Sequence, residues 1–265
     1  MNRFRTRWPT GHVVLPVIHA GTLDVVLRNA AIAVEAGADG VFLVNHSVPH
    51  QSLMKSYRLV AHTYPELWVG ANSLGAHLPW VRDQLHVQGM WADNACIDER
   101  REDQPIAERA YQNMRGEWDG IYFGGVAFKG QRKVKPELYG AAAEKAMPFV
   151  DVVTTSGPGT GEAADVDKIR VMKEAIGDFP LAIASGITPD NVGDYLPYAD
   201  CFLVATGISD DFENLNLGLT RRLIETVRAY DARKVRHCSS VDFLGRTPED
   251  SLTQRTRMST HFSAS

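Results

Sequence analysis

Short apolar runs alternate with longer amphipathic segments along most of the chain. Eight runs stand out, at 13–18, 41–45, 67–71, 90–93, 120–123, 150–154, 181–184 and 201–205. Several are almost wholly apolar and rich in Val, Ile and Phe, the pattern of parallel strands covered on both faces. Between them lie segments of helical length at 23–35, 52–63, 78–87, 105–115, 136–147, 165–176, 189–196 and 217–230. In the first of these, Val26, Ala30, Ala33 and Val34 recur at helical spacing, and Gly37 follows as a stop signal. Asp165, just after a glycine-rich turn, and Thr188, just before Pro189, read as helix N-caps.

Strict alternation of strand and helix predicts parallel βα units. Eight such units predict closure into a (β/α)8 TIM barrel over residues 1–230. The alternative, an open doubly wound sheet, lacks the GxGxxG that usually follows its first strand. A length of 265 residues suits one barrel, a fold that typically takes ~250. Residues 231–265 hold no strand run and are rich in Ser, Thr and Arg. They are expected to form a C-terminal tail, or an arm that packs on a neighbouring subunit, which makes a homo-oligomer a candidate state.

Composition narrows the partners. Hydrophobic residues at 44% and charged residues at 23% are ordinary for a globular protein. A formal net charge of −4 offers no bulk attraction for nucleic acid or acidic lipid. The basic start MNRFRTRWPTGH has no apolar region behind it, so a secretory signal is not expected. No run approaches the ~18 apolar residues of a membrane span. Cys96, Cys201 and Cys238 form no CxxC and no zinc-spaced cluster with His, which points to a reducing, cytoplasmic setting with no disulfide framework, metal or other cofactor.

In a barrel of this kind, chemistry belongs at the C-terminal ends of the strands, and the last loops often bind phosphate. Three glycine-containing turns end the sixth, seventh and eighth strand runs: Thr155-Ser156-Gly157-Pro158-Gly159-Thr160-Gly161, Ser185-Gly186-Ile187-Thr188 and Ala205-Thr206-Gly207-Ile208-Ser209. Glycine lets backbone N–H groups approach an anion closely, and helix N-termini add positive potential. A βα turn can also need glycine for geometry alone, but three in succession favour an anion. Ser156, Gly157, Gly159, Ser185, Gly186, Thr206 and Gly207 are therefore the candidate phosphate-binding residues. Across the mouth, His19, Asn45, His46, Asn72, Asp93 and Asn94 follow the first four strands. Each alone reads as a cap or turn former; together they read as a small-molecule pocket. Asp93 is the candidate general acid/base or metal ligand. Lys129, set after the apolar Val126-Ala127-Phe128, is a candidate fixed charge or Schiff-base amine, or a solvated lysine ahead of Arg132, Lys133 and Lys135. His50, His62, His77 and His86 fall in or near helices and read as surface or core. No HExxH, GxSxG or P-loop pattern is present.

The stretch from Ala33 to Asn45, the segment from Phe123 to Lys129, the run from Val152 to Gly161 and the turn from Ala184 to Val192 together resemble the BtpA/SgcQ family of barrels, over roughly residues 12 to 229. Asn45, Asp93 and Lys129 match the family's residues after the second, fourth and fifth strands. Gly130 stands where the family has a histidine, His46-Ser47-Val48 where it has glycine-aspartate, and His19-Ala20-Gly21-Thr22 where it has a proline-rich turn. The departures lie on the substrate side, and the phosphate side is retained. The resemblance implies a barrel with a phosphate site more firmly than it implies a reaction. The leading expectation is an isomerase, lyase or transferase acting on a sugar phosphate or nucleotide-like compound. Asp93 and Lys129 would act as acid/base and electrostatic stabiliser, helped by His19, Asn45 and Asn72. The alternatives are a non-catalytic assembly or stability factor, and a metal-assisted hydrolase or transferase using His19, Asn45 and Asp93.

Overall fold

The computed structural model describes residues 2–46, 48–75 and 78–244. Eight parallel strands close into a barrel in sequence order. They are β1 (Val13–His19), β2 (Val41–Val44), β3 (Val69–Asn72), β4 (Gly89–Ala92), β5 (Ile121–Gly125), β6 (Val152–Ser156), β7 (Leu181–Ala184) and β8 (Cys201–Val204). β1 closes the ring against β8 with Val13 opposite Cys201 and Leu15 opposite Leu203. The helices are α1 (Arg3–Arg7), α2 (Leu23–Ala36), α3 (His50–Thr63), α4 (Leu78–Leu85), α5 (Pro105–Arg115), α6 (Tyr139–Ala146), α7 (Val166–Ile176), α8 (Val192–Tyr195) and α9 (Leu217–Leu244).

Strand side chains alternate between two environments, as the pleat requires. Val13, Leu15 and Val17 of β1, Phe42 and Val44 of β2, Ile121 and Phe123 of β5, and Ala182 and Ala184 of β7 share one interior cluster with Trp91 and Leu203. The intervening residues, such as Val14, Leu43 and Ile183, are equally buried but fall outside that cluster, on the face toward the helices. Burial on both faces is why the strands read as continuous apolar runs. Large rings from β2, β4 and β5 meet small alanines from β7, so the interior is packed rather than open.

Strand ends depart from the sequence expectation at several points. β3 begins at Val69 rather than at 67, and β6 begins at Val152 rather than at 150. Trp68 and Val150 are buried, but they lie before the ladder, so hydrophobicity overran the hydrogen bonding. The segment at 189–196 holds only one helical turn, α8, because Thr188 and Asn191 cap each other instead. Thr188 N–H donates to Asn191 Oδ1 (2.8 Å), Asn191 N–H to Thr188 Oγ1 (3.2 Å), and Asn191 Nδ2 to the Gly186 carbonyl (2.8 Å). Gly37 ends α2 in the left-handed conformation expected of a stop signal.

The basic N-terminus forms a helix that the hydrophobic pattern does not announce. Asn2 caps α1 by accepting from the Phe4 and Arg5 amides. Phe4 and Trp8 insert beneath the barrel among Trp68, Phe123 and Cys201. Arg3 pairs with Asp151 and Arg5 with Asp200, residues set just before β6 and β8.

The chain forms two compact units, Met1–Val227 and Arg228–Ser265. The expected helix end at 230 is corrected: α9 continues to Leu244. Between Gly218 and Gly245 the sequence has no glycine or proline to stop a helix, and Ala, Arg and Lys favour one. The remainder of the tail, 245–265, lies outside the described residues. Among the described residues no helix is long and apolar enough to cross a membrane.

Candidate functional site

Asp93 follows β4 directly, at the C-terminal rim. Its backbone is fixed first. The Asp93 carbonyl accepts from Gln131 Nε2 (2.6 Å), and two residues on, Ala95 N–H donates to the Gly125 carbonyl (2.9 Å). Its carboxylate accepts from Nδ2 of Asn72, the last residue of β3 (2.9 Å). Burial pushes the Asp93 carboxyl up from the usual carboxylate range; the Asn72 bond and the charges of Lys129 and His46 oppose this.

Lys129 sits at the end of a constrained turn after β5. Val126 N–H continues toward β6 by donating to the Thr154 carbonyl (2.8 Å). Ala127 then adopts φ +48°, a left-handed conformation uncommon for a residue with a Cβ. Phe128 is buried beside Trp91 (ring centroids 6.1 Å apart). Lys129 N–H donates to Ser156 Oγ (2.8 Å), and its ammonium to Ser185 Oγ (2.9 Å) and Thr160 Oγ1 (3.1 Å). Burial pulls the Lys129 amine down, with the charge of Asp93 opposing.

A second lysine supports this turn. Lys168 of α7 donates to the Ala127 carbonyl (2.6 Å) and the Ser156 carbonyl (2.8 Å), and lies 5.3 Å from the Tyr139 ring centre. Burial pushes its amine down to about 8, only partly opposed by Asp165. The unfolded chain keeps this proton up to the ordinary value of 10.5, whereas the folded chain releases it from about 8. Lys168 therefore contributes stability that is full above 10.5 and is lost as pH falls through about 8. Unfolding titrations in urea across this window should show a rise in stability with pH that Lys168→Met removes. An unchanged slope in the variant would assign the rise to other groups.

His19 ends β1. Its Nδ1 lies 2.5 Å from the Phe212 carbonyl, and its ring stacks on Phe212 with centroids 4.0 Å apart. A carbonyl only accepts, so Nδ1 carries the proton and Nε2 of the neutral ring keeps a lone pair. Burial lowers the His19 pKa; the Phe212 bond raises it, and the neighbouring His46 lowers it. The loop bearing Phe212 is held by buried Asn29 of α2, which donates to the Glu213 carbonyl (2.5 Å) and accepts from Leu215 N–H (3.1 Å).

His19, Asn72, Asp93, Lys129, Ser185 and Thr206 converge on one cavity of ≈ 80 Å³ at the barrel mouth, floored by Val17, Val44, Trp91 and Leu203. Other expected members lie elsewhere. Asn45 does not line it, because its amide is spent on loop backbone, donating to the Val48 and Leu74 carbonyls and accepting from Leu74 N–H (2.7 Å). Ser156, Gly157 and Gly159 also lie outside the cavity lining; from that loop Thr160 and Gly161 reach it. Ser156 is buried, donating to the Gly157 carbonyl (2.8 Å) while it accepts from Lys129.

Gly186 and Gly207 have a packing reason to be glycine. A Cβ on Gly186, at φ +71°, would lie 2.3 Å from the Ala163 backbone, and one on Gly207 would lie 1.9 Å from the Ile187 carbonyl oxygen. Gly186→Asp or Gly207→Asp would therefore disturb loop packing before it repelled an anion, and Thr206 is the better place for an added charge. Among the described residues, no acceptor is bonded to the backbone N–H groups of Gly186, Thr206 and Gly207. They remain donors for an anion. No group of three His, Cys, Asp or Glu side chains converges as a metal-binding set among the described residues.

No protein-family model matches the chain. In sequence it is 40% identical over 83 residues to an uncharacterised protein of Thermococcus kodakarensis, covering 30% of this chain and 31% of that protein. It is 36% identical over 63 residues to an uncharacterised protein of Methanocaldococcus jannaschii, covering 24% of each. The match thus spans less than a third of the length of either curated relative. In structure it is similar to phosphoribosyl anthranilate isomerase from Thermus thermophilus, with a TM-score of 0.58 and 14% identity over 82% of this chain and 99% of that one. It is also similar to (S)-3-O-geranylgeranylglyceryl phosphate synthase from Thermoplasma acidophilum, solved with its substrate sn-glycerol-1-phosphate, with a TM-score of 0.61 and 12% identity over 85% and 96%. Thiamine phosphate pyrophosphorylase from Pyrococcus furiosus gives 0.58 and 17% over 82% and 96%. At these identities the likeness establishes the fold: the chain is a (β/α)8 barrel of the kind found in those enzymes of phosphorylated compounds.

Proposed function

We propose that this barrel is an enzyme that converts a small phosphorylated substrate, of isomerase, lyase or transferase type. Asp93 is its general acid/base and Lys129 the positive charge that stabilises a developing oxyanion. One observation carries the reading. A carboxyl and an amine line the same small cavity, each hydrogen-bonded to neutral partners and, among the described residues, with no ion pair joining them. Burial pushes the Asp93 carboxyl up, the direction a general acid/base needs, while the charge of Asp93 favours the protonated Lys129 amine against its own burial. Ser185 and Thr206, which line the same cavity as Lys129, together with the unbonded N–H of Gly207 next to Thr206, are the donors that would anchor phosphate, and that binding orients the reacting end. The BtpA/SgcQ resemblance supports the same arrangement, since Asp93 and Lys129 are among its matched residues.

A thermal-shift and calorimetry panel of phosphorylated metabolites, each paired with its unphosphorylated counterpart, tests the proposal. The expected result is binding that requires the phosphate and is weakened by Thr206→Asp. Equal binding of the paired compounds, or none of either, would leave the barrel as a non-catalytic scaffold.

A further inference from the structure

Four non-glycine residues have a positive φ among the described residues, and two of them, Ala127 (φ +48°) and Ser185 (φ +89°), flank Lys129. Ala127 lies two positions before it, and Ser185 presents the hydroxyl that holds its Nζ. Backbone held in sparsely populated conformations persists only where surrounding structure enforces it, and it concentrates at functional sites. Here the enforcement is visible: a half-buried lysine, Lys168, is committed to the Ala127 carbonyl, and a buried hydroxyl, Ser156, to the Lys129 amide. A counter-charge for phosphate needs none of this, because a flexible ammonium acts over several ångströms. An attacking amine does need it, because it must be held at ~3–3.5 Å from its target along a fixed line.

We infer that Lys129 is a nucleophile and that the substrate is a small phosphorylated aldehyde or ketone, with whose carbonyl carbon the Lys129 amine forms an imine. This rests on the phosphorylated-substrate reading above, adds the reacting group and gives Lys129 a covalent role in place of the electrostatic one. The surroundings suit the chemistry. The Lys129 Nζ contacts two neutral hydroxyls, which accept from an ammonium and equally donate to a neutral amine. Burial lowers the proton affinity of that amine. Val17, Val44, Trp91 and Leu203 make an apolar floor that favours loss of water. Asp93 stands in the same cavity to carry protons.

The steps balance without an oxidant or reductant. The neutral amine adds to the carbonyl carbon, forming a C–N bond as the C=O π pair moves to oxygen. Nitrogen gives up a proton and oxygen gains one, leaving a carbinolamine. Protonated Asp93 then donates to the hydroxyl, which departs as water while the nitrogen lone pair forms the C=N bond. The Asp93 carboxylate takes a proton from the carbon next to the iminium, giving an enamine and restoring the acid.

The test incubates the full chain with dihydroxyacetone phosphate or glyceraldehyde 3-phosphate, reduces with borohydride and maps adducts by mass spectrometry, with dihydroxyacetone as the unphosphorylated comparison. Calorimetry follows binding of the same compounds to wild type and Lys129→Arg. The expected result is one reduced adduct, at Lys129, dependent on the phosphate group, lost in Lys129→Arg while that variant still binds the probe. Binding without labelling, or labelling spread evenly over surface lysines, would overturn the nucleophile and leave the phosphate site standing. Neither binding nor labelling would overturn both.

Discussion

Asp93→Asn is expected to lower turnover about 10²–10⁴-fold, the usual contribution of a positioned general acid/base, with little change in ligand binding. The substitution keeps the shape of the site. Asn72 still finds an oxygen to donate to, and the Gln131 bond is to the backbone carbonyl, which no side-chain change removes. What disappears is the titrating proton, together with a negative charge that would face an anionic substrate. Binding should therefore hold or tighten slightly while the rate falls. Steady-state kinetics on a substrate from the phosphorylated panel, with calorimetry on the same compound, separate the two effects. Normal turnover in Asp93→Asn would remove it from proton transfer and leave the imidazoles of His19 and His46, which line the same cavity, as the groups to test next.

Phe4→Ala should destabilise the protein by about 3–5 kcal/mol, the range for deleting a buried phenyl ring. Phe4 is fully buried and packs against Trp8 (centroids 5.2 Å apart) and edge-on to Phe123 (6.2 Å). Its neighbours are strand residues and rings on a closed barrel floor, so the space it leaves cannot readily collapse. Arg3→Ala makes the contrast. Arg3 is 43% exposed and its ion pair with Asp151 spans 3.4 Å, so its loss should cost under about 1 kcal/mol. Urea unfolding of both variants measures the difference. If Phe4→Ala cost no more than Arg3→Ala, α1 would be an accessory to the barrel rather than its floor.

The barrel was legible because its cause is local and repeated. Strands covered on both faces must be apolar at every position, as in Val41–Val44 and Leu181–Ala184, and each helix between them needs an apolar stripe and a stop such as Gly37. The rim was legible in outline for a related reason. The end of a strand is where a polar residue interrupts an apolar run, and that pattern puts His19, Asn72, Asp93 and the turns at Ser185 and Thr206 at the rim.

Contacts between segments distant in sequence decided the rest. Asn45 looks like Asn72 in the sequence, yet its amide is spent on the loop at Leu74, while Asn72 faces Asp93. The choice depends on how two loops pack, and no local pattern records that. Thr160 and Gly161 reach the cavity in place of Gly157 and Gly159 because the loop after β6 folds back on itself and over Gly186. Lys168 is one of two lysines on an amphipathic helix until α7 docks and brings it against the carbonyls of Ala127 and Ser156. Likewise α1 and its C-cap, with Phe4 and Trp8 set among arginines, acquire their role only because a closed barrel has a floor to fill. The sequence by itself determined the order of strands and helices and, to within a residue or two, where each strand gives way to the polar rim. The tertiary structure decided which side chains at those ends face one another, because hydrogen bonds and burial at a convergent site are satisfied by partners that chain closure brings together.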